Sequence, residues 1–303
     1  MHILMIFIDG VGLGDDNPET NPFSAAHFPT LTKITNGKKW LNSTGKIVSD
    51  RAVFIPTDPR LNVAGRPQSA TGQAVIITGK NVPLHIGRHY GPKPNVEIRA
   101  LLDEDNFFTQ VVKHNKRAAL LEAYPDQWHR GINSGKSLPS SYQYAARSAG
   151  LPFFDHDTLK DGNALSGDWT GEGWRTQLGF DDIPVFAPLE AGEQLVKLSR
   201  NYDFAFMSHW LTDVIGHKGD LTEAIALLSI FDKVIEGVLK EWHDDEGLVI
   251  VTSDHGNIEE ITHRRHTEND VPTVIIGNGA EAFAKGLSSL QDYVPRMAKL
   301  LLD

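Results

Sequence analysis

The chain has 303 residues, enough for one large domain or two ordinary ones, and its 40% hydrophobic and 22% charged fractions are those of a soluble globular protein. A formal net charge of −10 argues against a wide nucleic-acid-binding surface, and the absence of cysteine excludes disulfides and thiolate metal sites. No apolar run is long enough to span a bilayer, and the short run Ile3 to Ile8 lacks a basic segment before it, so the expected location is the cytoplasm.

Ile3 to Ile8 reads as a strand buried on both faces, as in a parallel sheet, and it runs straight into Asp9-Gly10. Residues 17 to 29 form a loop rich in Asn, Pro and Thr. A short helix is expected from Pro29, followed by strand-like runs at 46–49 and 52–55. Ser69 opens an apolar helix that should stop at Gly79. A hydroxyl there is an ordinary helix cap or a nucleophile whose alkoxide the free amides stabilise, and Thr71 is a second candidate.

From about residue 85 the composition shifts to Gly, Pro, His and basic residues. A helix is expected over 96–114, a strand over 116–124, and then a segment rich in Gly, Ser, Pro and Trp to residue 188, with one helix near 140–149. The stretch 85–189 reads as a smaller inserted α+β cap, with 1–84 and 190–303 as a discontinuous core. The α/β pattern resumes with a helix near 189–200 and a strand at 203–207. Asp213 and His217 follow, one helical turn apart, a spacing that also suits a plain surface pair. Leu221, Ile225, Leu228, Phe231, Ile235, Leu239 and Trp242 then form one apolar stripe. The strand Leu248 to Val251 ends in Asp254-His255, with His266 in the loop beyond, before a strand at 272–276 and a closing helix near 288–302.

The whole reads as an α/β fold with a mostly parallel central sheet and helices on both faces. Candidate ligands follow three separate strands, as expected at the carboxyl ends of such a sheet. Asp9, Ser69, Asp213, His217, Asp254, His255 and His266 are too many groups for one tetrahedral ion and suit two divalent ions. Carboxylates tolerate Mn²⁺ and imidazoles favour Zn²⁺.

These motifs resemble the alkaline phosphatase superfamily, in particular the branch of cofactor-independent phosphoglycerate mutase and phosphopentomutase. The resemblance rests on Ile8-Asp9-Gly10, on Ser69-Ala-Thr-Gly72-Gln73 against Ser-x-x-Gly-His, and on Asp213-Val-Ile-Gly-His217. Asp254-His255-Gly256-Asn257 and His266-Thr267, ahead of Val271-Pro272, complete it. Gln73 departs from the mutases' His, and the insert is smaller than the caps of either enzyme. The resemblance implies an alkaline-phosphatase-like core with Ser69 as nucleophile. It implies one ion on Asp9, Ser69, Asp254 and His255, and another on Asp213, His217 and His266. The implied reaction is phosphatase or phosphomutase chemistry on a small phosphorylated metabolite through a Ser69 phosphoenzyme. Alternatives are a phosphodiesterase, phosphonate or sulfate-ester hydrolase on the same core, or a metal-binding protein without catalysis. Phosphate should be clamped by basic residues, Lys218 first, with Arg88, Arg130 and Arg264 as further candidates.

Overall fold

The computed structural model describes residues 1–303. One seven-stranded sheet runs through it, built from β1 (His2–Ile8), β2 (Ile47–Val48), β3 (Ala52–Thr57), β4 (Ala118–Leu120), β5 (Phe204–His209), β6 (Gly247–Thr252) and β7 (Val271–Ile276), in the order β2-β3-β7-β6-β1-β5-β4. β1 lies at its heart, parallel to β5 with Ile3 opposite Phe204, and parallel to β6 with Ile3 opposite Leu248. β4 adds parallel to β5 at one edge. On the other side β7 enters antiparallel to both β6 and β3, and β2 antiparallel to β3, so the expected mostly parallel sheet is mixed. The reason is the short connection from β6 through the His266 loop, which carries no crossover helix and so returns the chain antiparallel.

Period-two alternation splits the core between the two faces. Ile3, Met5 and Phe7 join one cluster, with Phe204 and Phe206. Leu4, Ile6 and Ile8 join the other, with Ala205 and Met207. The first face is covered by the helices Ser69–Thr78, Val96–Glu104, Phe107–Lys113, Ser141–Ser148 and Tyr293–Leu301. The Ser69 helix is buried along its whole length and stops where predicted, at Gly79, whose φ of 69° is the left-handed cap that glycine adopts without strain. The expected single helix over 96–114 is two, because Asn106 caps the second: its side chain takes the Thr109 amide at 3.1 Å while Thr109 Oγ1 takes the Asn106 amide at 3.1 Å.

The other face carries the helices Pro188–Ser199 and Leu221–Glu241, with Leu228, Phe231 and Ile235 of the predicted stripe fully buried. These two helices touch backbone to backbone. A Cβ on Gly192 would stand 2.0 Å from Val234 O, and one on Gly237 would stand 2.0 Å from Leu189 O.

The expected boundary at residue 85 is not where the packing divides. Ile98, Leu101, Phe107, Phe108, Val111, Tyr142 and Ala145 bury in the same cluster as Phe204 and Phe206, and β4 belongs to the central sheet. A three-residue strand ahead of a Gly- and Ser-rich segment has too little pattern to reveal this. Beyond β4, a small cluster of Ala123, Leu159, Ala164, Trp174 and Ile183 lies outside both main cores, tied to the end of β4 by bridges Glu122–Leu165 and Ala123–Phe154.

The helix pair gives a stability test. Gly192→Ala and Gly237→Ala should each cost roughly 1–3 kcal/mol, because backbone carbonyls cannot step aside. Urea midpoints equal to that of the parent protein would show that the helices are free to separate.

Candidate metal centre

Parallel strands bring their carboxyl ends to one edge, and the candidate ligands gather there. Asp9 follows β1, Asp254 and His255 follow β6, and Asp213 and His217 lie on the helix Leu211–Lys218 just after β5. His266 precedes β7, and because β7 runs antiparallel its start lies at this same edge. Ser69 arrives from the first turn of its helix, where the leading amides have no partner within the helix.

The side chains form two groups. In one, Ser69 Oγ lies 3.0 Å from His255 Nε2, which is 3.4 Å from Asp9 Oδ1 and 3.5 Å from Asp254 Oδ2. In the other, Nε2 of His217 and Nε2 of His266 face each other at 3.1 Å, with Asp213 carboxylate oxygens 3.4 and 3.5 Å away. Asp213 also comes within 4.8 Å of the ligand atoms of Asp9 and His255, and the His255 and His266 rings stack at 3.7 Å.

The protons are placed by the second nitrogen of each ring. Nδ1 of His217 donates to Arg264 O at 3.0 Å, and Nδ1 of His266 donates to Pro67 O at 2.9 Å. A carbonyl can only accept, so in the neutral rings both Nε2 atoms carry lone pairs directed at one another. Two such atoms in contact need a positive centre between them. Asp9 Oδ1 is buried with no hydrogen-bond partner and has the same need. Divalent cations fit this donor set.

The electrostatics agree. Burial, then the charge on Asp213, pushes the Asp254 carboxyl up to about 7, and burial with Asp254 and Asp213 nearby raises Asp9 well above the usual carboxylate range. Burial lowers His255 to about 3, helped by the neighbouring His266. Burial would raise Asp213 as well, but the contacts with His217 and His266, which donate to it only when their rings carry a second proton, outweigh burial and hold its carboxyl low. The same contact with Asp213 raises His217.

Around these groups stands a layer of supports. Gln73 Nε2 donates to Asp9 Oδ2 at 3.2 Å and to Asp254 Oδ2 at 3.4 Å, while its Oε1 accepts the Ser141 amide at 3.3 Å. Asn257 Nδ2 donates to Asp213 Oδ1 at 2.8 Å. Glu259, 1% exposed, accepts from the Gly12 amide at 2.9 Å, the Asn257 amide at 2.8 Å and Asn269 Nδ2 at 3.0 Å, and also from Thr267 Oγ1. Nothing larger than glycine fits beside it: a Cβ at Gly12 would lie 2.2 Å and one at Gly256 2.1 Å from Glu259 Oε1.

The remaining candidates separate clearly. Thr71 faces away from the ligands, its hydroxyl bonded to Gln68 O at 3.0 Å and Tyr90 O at 3.3 Å, so it fastens the loop that carries Tyr90. Arg88 and Arg264 line a cavity of about 640 Å³ with Arg66, Arg265, His89 and the two ligand candidates His217 and His266. Lys218 is exposed and outside that lining, because it is the residue after His217 on a helix and points elsewhere. Arg130 pairs with Asp126 at 3.7 Å on the surface, away from the cavity. Sequence reasoning missed Arg66 and Glu259, and quoted Asn257 within the Asp254-His255-Gly256-Asn257 motif without giving it a role. It also missed Lys93, whose charge feels both Asp9 and Glu122; desolvation lowers its pKa, and the two carboxylates pull it back up.

Residues 187–302 match the family model described as Metalloenzyme superfamily. The chain is 34% identical over 131 residues to the 2,3-bisphosphoglycerate-independent phosphoglycerate mutase of Methylobacillus flagellatus, covering 40% of this chain and 25% of that one. The mutase of the same description from Moorella thermoacetica is 27% identical over 128 residues, again covering 40% and 25%. The matched part thus spans about a quarter of the length of these relatives. Among solved structures, alkaline phosphatase from the Antarctic bacterium TAB5 superposes with a TM-score of 0.58 at 14% identity, covering 99% of this chain and 97% of that one. A Pyrococcus horikoshii protein superposes with a TM-score of 0.57 at 17% identity, covering 99% and 96%. These two likenesses concern the fold.

Glu259 gives the test of the support layer. Glu259→Gln should lower divalent-ion content and cost about 2–4 kcal/mol of stability, since an amide nitrogen cannot accept from the donors that converge there. Metal analysis and urea unfolding check this, and full metal content with parental stability would refute it.

Proposed function

We propose, from the Metalloenzyme-superfamily match over residues 187–302 and the similarity to phosphoglycerate mutases, that this chain is an enzyme of the alkaline phosphatase superfamily that carries out metal-dependent phosphoryl transfer from a small phosphorylated metabolite through Ser69. The observation that carries the reading is the placement of the Ser69 hydroxyl 3.0 Å from His255 Nε2, beside the opposed Nε2 atoms of His217 and His266. Asp9, Ser69, Asp254 and His255 would hold one ion, and Asp213, His217 and His266 the other, with manganese or zinc as the expected metals. When bound, such ions lower the pKa of a coordinated hydroxyl and neutralise charge on phosphoryl oxygens.

The chain's own residues supply the rest. The start of the Ser69 helix presents amides to an anion and favours negative charge on Ser69 Oγ. Arg66, Arg88, Arg264 and Arg265 make a cationic wall beside the centre, with no carboxylate lining the same cavity, so the substrate is read as anionic. Ser69 Oγ attacks phosphorus, the substrate oxygen leaves with the bonding pair and takes up a proton, and a phosphoserine results. Water then releases phosphate, or a second hydroxyl of the substrate takes the phosphoryl group. The part of this region that packs in its own small cluster, around Ala123, Leu159, Ala164, Trp174 and Ile183, is placed in this reading as the cover of the cleft, the reduced remainder of the expected insert.

With Mn²⁺ or Zn²⁺ supplied, the protein should turn over phosphomonoesters in a panel that includes phosphodiesters, phosphonates and sulfate esters. Ser69→Ala should lower turnover by roughly three orders of magnitude or more, whereas Thr71→Ala should retain most of it, and phosphate should be trapped on Ser69. Arg88→Ala with Arg264→Ala should raise KM about tenfold or more by removing charge-assisted contacts. Parental turnover in Ser69→Ala would end this reading. Isomerisation without phosphate release would assign a mutase, and release a phosphatase.

A further inference from the structure

One buried carboxylate near the cleft belongs to neither ligand group. Glu122 lies two residues beyond β4 and is only 4% exposed. Its Oε2 accepts from Tyr124 OH at 3.0 Å and from Ser208 Oγ, and Tyr142 OH bonds Ser208 Oγ at 2.9 Å. Burial pushes its carboxyl up to about 7, against the pull of hydrogen bonds from Ser208, Tyr124 and Trp210. The Tyr124 and Ser208 hydroxyls end on Oε2, and the Trp210 indole N–H stands on the Oε1 side.

The surroundings of Oε1 differ. A Cβ on Gly167 would lie 3.1 Å from Glu122 Oε1 and 3.1 Å from Trp210 Nε1, so the carboxylate oxygen and the indole N–H stand together beside a residue where any side chain would crowd both. Trp210 is 45% exposed, although it immediately precedes the helix that carries Asp213 and His217. Lys93 is exposed, and Asp9 and Glu122 are the carboxylates that act on its charge. In the sheet, β5 alone separates β1, which ends at Asp9, from β4, which leads to Glu122. Two strand spacings are about 10 Å, which is the reach of a small organic group attached to a phosphate.

We infer that Glu122, Trp210 and Lys93 form the subsite for the organic portion of the substrate and select phosphate esters that carry free hydroxyls. Glu122 Oε1 accepts from one hydroxyl, Lys93 donates to a second oxygen, and the exposed indole covers the C–H face between them. Lys93 already supplies positive charge, so a neutral hydroxyl suits the carboxylate better than an ammonium group. Glu122 is thereby a specificity residue, with no part in bond making. The inference rests on the reading that Ser69 faces a phosphate ester, but its test needs no turnover.

Ser69→Ala protein, with excess Mn²⁺, is titrated calorimetrically with glycerol 1-phosphate and with n-propyl phosphate, which lacks the hydroxyls. Glycerol 1-phosphate should bind about tenfold tighter or better, as expected where a site's buried polar group is otherwise left unpaired. Adding Glu122→Gln should bring the ratio below about three. Ser208 and Tyr124 would fix the amide oxygen on their side and turn its NH₂, which cannot accept, toward the ligand. Equal affinities in Ser69→Ala, no binding of either ester, or an equal loss of both on adding Glu122→Gln would overturn the inference. Should Glu122→Gln not fold, Trp210→Ala at its exposed position replaces it, and an undiminished ratio there is equally fatal. Failure of wild-type turnover would count against the phosphoryl-transfer reading alone.

Discussion

Glu259 is the point on which the centre depends mechanically. Four donors end on its buried carboxylate, from the Gly12 turn after β1, from Asn257 after β6, and from Thr267 and Asn269 ahead of β7. Remove the acceptor and three loops lose their common anchor, each left with a polar group away from water. Those loops hold Asp9, Asp254, His255 and His266. Their positions are therefore set by a contact that itself binds nothing, and Gly12 and Gly256 lack side chains because the carboxylate occupies the space. Ligands fixed in this way need little rearrangement to receive an ion.

The electrostatics follow from that rigidity. Asp9 and Asp254 are held close to the charged Asp213 under an apolar sheet edge, where burial and that neighbouring charge disfavour their ionisation. His217 and His266 spend their ring protons on backbone carbonyls and turn bare nitrogens inward. Such an arrangement is poor as a self-contained hydrogen-bond network and well suited to positive ions. The arginine wall lies just outside these groups, so that on the proposed reading attraction of a substrate anion is separate from the holding of metal ions.

Much of this was legible in the chain. The apolar strands that end in Asp9 and Asp254-His255, and the one-turn spacing of Asp213 and His217, mark both the sheet edge and the converging side chains. What escaped has physical reasons. The strand expected over 116–124 falls within the expected insert, yet its three-residue core β4 joins the central sheet and Phe107, Phe108 and Tyr142 pack onto that sheet. Lys218 stands one helical step, and Thr71 two, from the right residue, and those steps turn each side chain away. Glu259 follows Asn257 by two residues and carries no pattern that separates it from the half-buried Glu260 beside it. Arg66 and Lys93 are single charges in Gly- and Pro-rich stretches, and only the folded loops bring them to the cleft.

The ligand groups are drawn from opposite ends of the chain: the Gly10 amide meets Asp254 across 244 positions of sequence. Closing so large a loop carries an entropic cost that only the finished sheet can repay, which delays this contact in folding. No stretch emerging early from synthesis contains a complete first set of ligands. An ion that prefers the assembled set over separate segments consequently stabilises the molecule as a whole and not one local element. In the cell, metal supply would act on this protein late, as a selector of chains that have already folded.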